Sequence, residues 1–354
     1  MPHDGSLGLP AAVAGRTVTI VGGGTGLSNV LRGLKGLTVP GGDGGGLAGL
    51  YGVVTVTDDG GSSGRLRREL GILPPGDIRN CLAALADDED LLTRLFQYRF
   101  AHGDGLSGHS FGNLFLAALT GITGDFYQAI LTAEEVLSVR GKILPATLTD
   151  VHLRGRGRSG RVYQGEVAVG RSGESLADLR LEPEAPEAFP AAVEALERAD
   201  LVLLGPGSLY TSILPNLLIP GILGAVRRSA APVVLLSNLM TEPGETDGMD
   251  ALDHLETIER HVGPGLIDAM AVSSARPSDE RLQVYAEQGS RRVRTDRAAI
   301  EARGVRVIER DLLAEGDLIR HDPDAVRALV VELLAERDEA RQGPRGIARR
   351  AAGA

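Results

Sequence analysis

Four short apolar runs in this chain each stop at a loop of glycine, aspartate, serine or asparagine, and this pairing limits the fold more than any other feature. The runs are Thr17–Gly22, Tyr51–Thr57, Leu201–Gly205 and Pro232–Leu236. Short Val-, Ile- and Leu-rich runs bounded by turn residues read as strands buried on both faces. Helical patterns lie between them, beginning with Leu27–Leu37. Strand and helix in alternation predict a doubly wound, Rossmann-like α/β fold with a mainly parallel sheet. The loops after parallel strands all open on one edge, where such folds bind their ligands.

Further strands are expected at Ala269–Ser273 and Val305–Ile308, and a last helix over Asp324–Arg337. Asp77–Arg140 reads as helical, with Pro74-Pro75 leading in and Ser110 as an N-cap. Apolar and polar residues alternate over Ala146–Leu153 and Arg161–Val169, which predicts a β-hairpin inserted at about 146–169. Gly41–Gly49 reads as a flexible surface insertion. The expected organisation is a loose leader at 1–16, one α/β domain over 17–337 and a loose tail at 338–354.

Composition narrows the function classes. The formal charge of −10 argues against a broad nucleic-acid surface, since phosphate backbones need basic patches. Cys81 is the sole cysteine, so an internal disulfide and a cysteine zinc cluster are both excluded. The first residues lack the pattern of a signal peptide, and no run reaches the ~18 apolar residues of a membrane span. A cytoplasmic protein with no membrane span is expected.

The loops carry the chemistry. In Val21–Leu27 (VGGGTGL), Gly23, Gly24, Thr25 and Gly26 open a helix whose free N–H groups suit a phosphate or ribose. The third glycine of a dinucleotide fingerprint is replaced by Leu27, and the Lys-Ser/Thr of a P-loop is missing. A tight turn without ligand uses the same glycines. After the second strand, Asp58 and Asp59 stand where a ribose or a hydrated Mg²⁺ would bind, with Ser62 and Ser63 as anion donors. Mg²⁺ is the one cofactor this pattern leaves room for, through Asp58 or Asp59; a solvated Asp-Gly turn is the alternative. Asp77 and Asn80 (PPGDIRN) and His109 and Asn113 (GHSFGN) add candidate ligands, though Asp77 also suits a helix cap and His109 a structural role. Gly207, Ser208, Tyr210 and Thr211 suit a diphosphate or sugar, and Asn238 a base or ribose edge. Convergence of four such loops on one crevice says more than any of them alone.

Together VGGGTGL, TDDGGSSGRLR, PPGDIRN, GLSGHSFGNL, VRGKILPA, GPGSLYTSILPNLL and NLMTEPGETDGMDALDHL resemble the YvcK-type gluconeogenesis factors. These belong to the larger CofD-like group of 2-phospho-L-lactate transferases. The resemblance runs from about residue 17 to 260 and more weakly to about 335. It implies a CofD-like fold and a cytoplasmic bacterial protein that binds UDP-sugars such as UDP-N-acetylglucosamine or UDP-glucose. It further implies a role in cell shape and peptidoglycan synthesis during gluconeogenic growth. The family's UDP-sugar-binding Tyr and Arg fall on Tyr285 and Arg320. A homo-oligomer and a regulatory protein partner are also expected. Two other functions stay open: a Mg²⁺-assisted transferase of a phosphoryl-linked group from a nucleotide diphosphate donor, and an NAD-binding protein. No residue has the setting of an activated nucleophile, which favours binding over covalent catalysis.

Overall fold

The computed structural model describes residues 9–39, 45–87 and 89–342. Its ten strands are β1 (Thr17–Gly22), β2 (Gly49–Val54), β3 (Lys142–Pro145), β4 (His152–Gly157), β5 (Val162–Gln164), β6 (Leu176–Glu182), β7 (Leu201–Leu204), β8 (Val233–Leu236), β9 (Ala269–Ser273) and β10 (Arg306–Arg310). Seven of them form one all-parallel sheet in the order β10-β9-β8-β7-β1-β2-β3. β7 and β8 are buried at every residue, and β1 from Val18 onward, because helices cover both faces. Near-continuous Val, Ile and Leu are what such strands require.

Order in the sheet is decisive for the site. From β1 the chain crosses to β2 and β3 on one side, whereas β7, β8, β9 and β10 extend the sheet on the other. β1 and β7 are therefore neighbours whose connections leave in opposite directions, with Val21 paired to both Val53 and Leu204. A crevice opens beyond the carboxyl ends of strands at such a point.

The expected doubly wound fold is present, and the details depart from the sequence reading in five places. The first helix, α1 (Gly24–Leu34), begins inside the glycine loop, three residues before the expected start at Leu27. The helical stretch from Asp77 is broken into four helices, with Ser110 and Asp125 capping two of them through bonds from Asn113 N–H and Gln128 N–H. Four-residue β3 was overlooked because so short a run has no measurable period. The expected hairpin is a three-stranded antiparallel sheet, β5-β4-β6, and its second arm turns helical at Glu166. β4 alternates exposed and buried residues along its length, as a one-sided sheet does. The expected insertion at 41–49 is shorter, since Gly49 starts β2 and Leu47 is buried; residues 40–44 lie outside the described residues.

Both expected loose ends are partly held. Val13 is fully buried, and Arg16 pairs with Asp200 at 3.3 Å and with Asp338. The last helix runs from Pro323 to Gln342 and packs on α1, where a Cβ at Gly33 would meet the Pro323 carbonyl. Residues 1–8 and 343–354 lie outside the described residues. No single helix among the described residues is long and apolar enough to cross a membrane.

Candidate functional site

At the end of β1 the chain turns into α1 through two glycines used for different reasons. Gly24 has φ +61°, a left-handed conformation that favours glycine. Gly23 is extended, and what it needs is space: a Cβ there would lie 2.6 Å from a carboxylate oxygen of Asp77 and 2.9 Å from the Thr55 methyl. Gly26 packs directly on the Pro206 carbonyl of the loop after β7, so the two glycine loops touch across the switch point. The N-cap of α1, Gly23, has no side chain to cap the helix; Asp77 takes the Gly24 N–H, which leaves the next amides, of Thr25 and Gly26, to an anion.

The β7 loop is held from β8. Asn238 grips the two peptides that flank the Gly207 α-carbon, accepting from Gly207 N–H at 3.1 Å and donating to Gly207 O at 3.0 Å. Ser208 donates its hydroxyl to Glu242, whose other oxygen lies 3.4 Å from Asn238 Nδ2.

These loops floor a cavity of about 480 Å³. From the sequence candidates it gathers the Gly23–Gly26 loop, Asn80, Gly207, Ser208, Asn238, Tyr285 and Arg320. Tyr285 lies on the helix Asp279–Glu287, which buries none of its residues. Its hydroxyl accepts from Ile319 N–H at 3.0 Å, so it anchors the segment carrying Arg320 and keeps its own O–H to donate. That segment closes on itself through the Leu313–His321 bridge and a bond from Ala314 N–H to Arg320 O. His321 next to it is structural: it donates from Nε2 to Ser237 O at 3.1 Å, and burial lowers its pKa to about 4.

Several sequence candidates lie elsewhere. Tyr210 and Thr211 belong to the core: Leu209–Ile213 winds as a π-turn, Tyr210 is fully buried, and Glu245 accepts from Tyr210 N–H at 2.7 Å. The same turn presents Ser212 to the crevice. Asp59 is a helix cap, its two oxygens accepting from Glu166 N–H at 3.1 Å and Val167 N–H at 3.0 Å. It joins the small sheet to the β2 loop and spends about half of its roughly four acceptor sites in doing so.

Asp58, Ser62, Ser63, Asp77, His109 and Asn113 form a second cluster outside the cavity lining. Ser62 and Ser63 lie in the first turn of α2 (Gly61–Leu70), and Asp77 in that of α3 (Gly76–Leu85). Ser62 Oγ bonds His109 Nδ1 at 2.9 Å, and Asn113 Nδ2 donates to Ser63 Oγ at 3.3 Å. Burial, then the nearby Arg65, lowers the pKa of His109. Asp77 does not cap its own helix; it accepts from Gly24 N–H and so braces the first glycine loop. Burial, then repulsion from Asp58, raises its pKa to about 6. Among the described residues no group of three or more His, Cys, Asp or Glu is arranged to hold a metal. Asp58 with Asp77 is the remaining pair suited to a hydrated Mg²⁺, which binds through one or two carboxylates and keeps its waters.

The sequence reading missed Arg32, Gln97, Ser212 and Glu242, all of which line the cavity. Arg32 lies eight residues beyond Gly24 on α1, a helical spacing that returns to roughly the same face. Gln97 left no usable signal, since its helix reaches the crevice only through tertiary packing.

A family model described as 2-phospho-L-lactate transferase CofD matches residues 18–313. The chain belongs to the CofD family. Within it the gluconeogenesis factor of Bacillus subtilis is 46% identical, covering 90% of this chain and 98% of the relative. That of Halalkalibacterium halodurans is 44% identical over 90% of this chain and 96% of the relative. The chain is therefore also a member of the gluconeogenesis factor family. A crystal structure of a UPF0052 family protein from Bacillus halodurans superimposes with a TM-score of 0.84 at 44% identity, covering 89% of this chain and 99% of that one.

The acids beneath the site give one prediction. Glu166 has a pKa raised to about 8, first by burial and then by Asp58 and Asp59. A carboxyl raised on folding binds its proton more tightly in the folded state. Its stabilisation is complete below the ordinary value of 4.5 and is lost as pH rises toward 8. Glu166→Gln, which mimics the protonated acid, is expected to melt close to wild type at pH 5 and about 2–4 °C above it at pH 8.5, equivalent to roughly 1.5–3 kcal/mol at this chain length. An equal offset at both pH values would contradict this.

Proposed function

We propose that the switch-point crevice binds a UDP-sugar, such as UDP-N-acetylglucosamine or UDP-glucose, and that binding serves regulation. The observation carrying this reading is the contact of two glycine loops across β1 and β7, with Tyr285 and Arg320 on the wall they face. The α1 amides suit a diphosphate, Arg320 offers a forked and permanently charged donor to its oxygens, and the Tyr285 ring offers a face to uracil. The family resemblance and the relatives named gluconeogenesis factor support a part in growth on gluconeogenic carbon, acting through cell shape and peptidoglycan synthesis in the cytoplasm. We read the regulatory protein partner and homo-oligomer in the same way.

A second reading is favoured by the matched transferase family and by the Asp58–Asp77 pair beside the first loop. In it Mg²⁺, when bound, neutralises diphosphate charge. Asp58 and Asp77 would hold the ion, and Asp77 would keep Gly24 in place.

One ligand screen separates these readings. Thermal melting with UDP-N-acetylglucosamine, UMP, GDP and NAD, each with Mg²⁺ or EDTA, is expected to show stabilisation by the UDP-sugar. At about 100 Kd the gain is ~2.7 kcal/mol. Stabilisation by GDP or NAD with no response to the UDP-sugar would sink the proposal, and Mg²⁺-dependent stabilisation lost in Asp58→Asn would favour the transferase.

A further inference from the structure

The two walls of the crevice differ in chemistry. The α1 wall presents the backbone of Gly23–Gly26 and the cationic Arg32, with Arg320 nearby, and so suits anionic groups. On the wall behind Gly207 and Ser208 stands Glu242, the one acid lining the crevice among the described residues. Its backbone is held by a bond from Glu242 N–H to Thr246 Oγ1 at 2.8 Å. Its carboxylate accepts the Ser208 hydroxyl on one oxygen and faces Asn238 Nδ2 at 3.4 Å on the other. Those contacts use about half of the roughly four acceptor sites a carboxylate has. Burial raises its proton affinity, and the Ser208 hydroxyl opposes that shift.

With donors of Ser208 and Asn238 directed at both of its oxygens, the Glu242 carboxyl presents acceptors to the crevice and repels phosphate oxygens. Whatever part of a ligand lies against Glu242 must therefore bring donors. Asp58 and Asp59, the acids expected to read a ribose, do not line the crevice. We propose that Glu242 is a specificity-determining residue of this site, its two oxygens accepting hydrogen bonds from a vicinal pair of hydroxyls on the ligand's sugar. The inference rests on the nucleotide-sugar reading above and narrows it to ligands with an intact diol. Asn238 acts as a positioning residue, since it holds the backbone on both sides of Gly207 and faces Glu242 as well. Ribose and glycosyl rings both carry such a diol, so the test distinguishes them.

Wild type, Glu242→Gln and Glu242→Asp are titrated calorimetrically with UDP, 2′-deoxy-UDP and UDP-N-acetylglucosamine, and their ligand-free melting is compared. Gln keeps the shape but loses the charge-assisted bonds, while Asp keeps the charge and withdraws it from the crevice. Each is expected to bind UDP-N-acetylglucosamine about ten-fold more weakly, the difference between charged and neutral hydrogen bonds. An equal loss on UDP, with 2′-deoxy-UDP insensitive to the substitutions, assigns the diol to ribose. A loss confined to UDP-N-acetylglucosamine assigns it to the glycosyl ring. Wild-type affinity in both folded variants overturns the inference and leaves the nucleotide-sugar reading standing. Wild type that binds none of the three overturns both.

Discussion

Gly24→Val is expected to abolish ligand binding, at least a hundred-fold by calorimetry, in a protein that still folds. At this position the φ of +61° costs an L-residue roughly 1–2 kcal/mol. That is affordable against a typical folding stability of about 5–15 kcal/mol. A Cβ at Gly24 meets nothing nearer than Ser212 Oγ at 3.9 Å, so the new side chain enters the crevice instead of the protein. Its branches occupy the path of a phosphate to the α1 amides. Gly26→Ala makes the comparison: its methyl runs into the Pro206 carbonyl, where backbone on both sides resists, so melting should fall further than in Gly24→Val. Unchanged affinity in a folded Gly24→Val would show that the loop is only a turn.

The second large effect concerns the opposite wall. Arg320→Ala is expected to weaken UDP-N-acetylglucosamine by about ten- to a hundred-fold, because charge-assisted bonds contribute about 1.5–3 kcal/mol. Tyr285→Ala should lose a comparable amount by two routes, the ring face and the anchor that holds Ile319 N–H beside Arg320. Tyr285→Phe separates them. It keeps the ring and removes an ordinary hydrogen bond of about 0.5–1.5 kcal/mol, so its loss should stay within about ten-fold. The helix carrying Tyr285 buries none of its residues, and ligand-free melting should hardly change in these variants. Wild-type binding by both alanine variants would remove these residues from the site.

The sequence by itself determined β1, β7, β8 and β9, because continuous burial on both faces imposes an apolar run that ends sharply at a turn. It also placed the glycine loops, since a left-handed residue such as Gly24 leaves a local mark. Ser110 was visible as a cap for the same reason: its bond to Asn113 N–H spans three residues. Only the tertiary structure decided which loop side chains face the crevice. Asp59 and Glu242 are both acids in loops after strands, and nothing local distinguishes them. Asp59 is tied to amides at 166 and 167, more than a hundred residues away, whereas Glu242 turns into the crevice beside Ser208. Likewise the π-turn at Leu209–Ile213 sends Tyr210 and Thr211 into the core and Ser212 to the cavity. Backbone preference acts over a few residues and is written in the local sequence. The direction of a side chain at a site depends on which distant amides and carbonyls it meets, and the packing of the folded chain settles that.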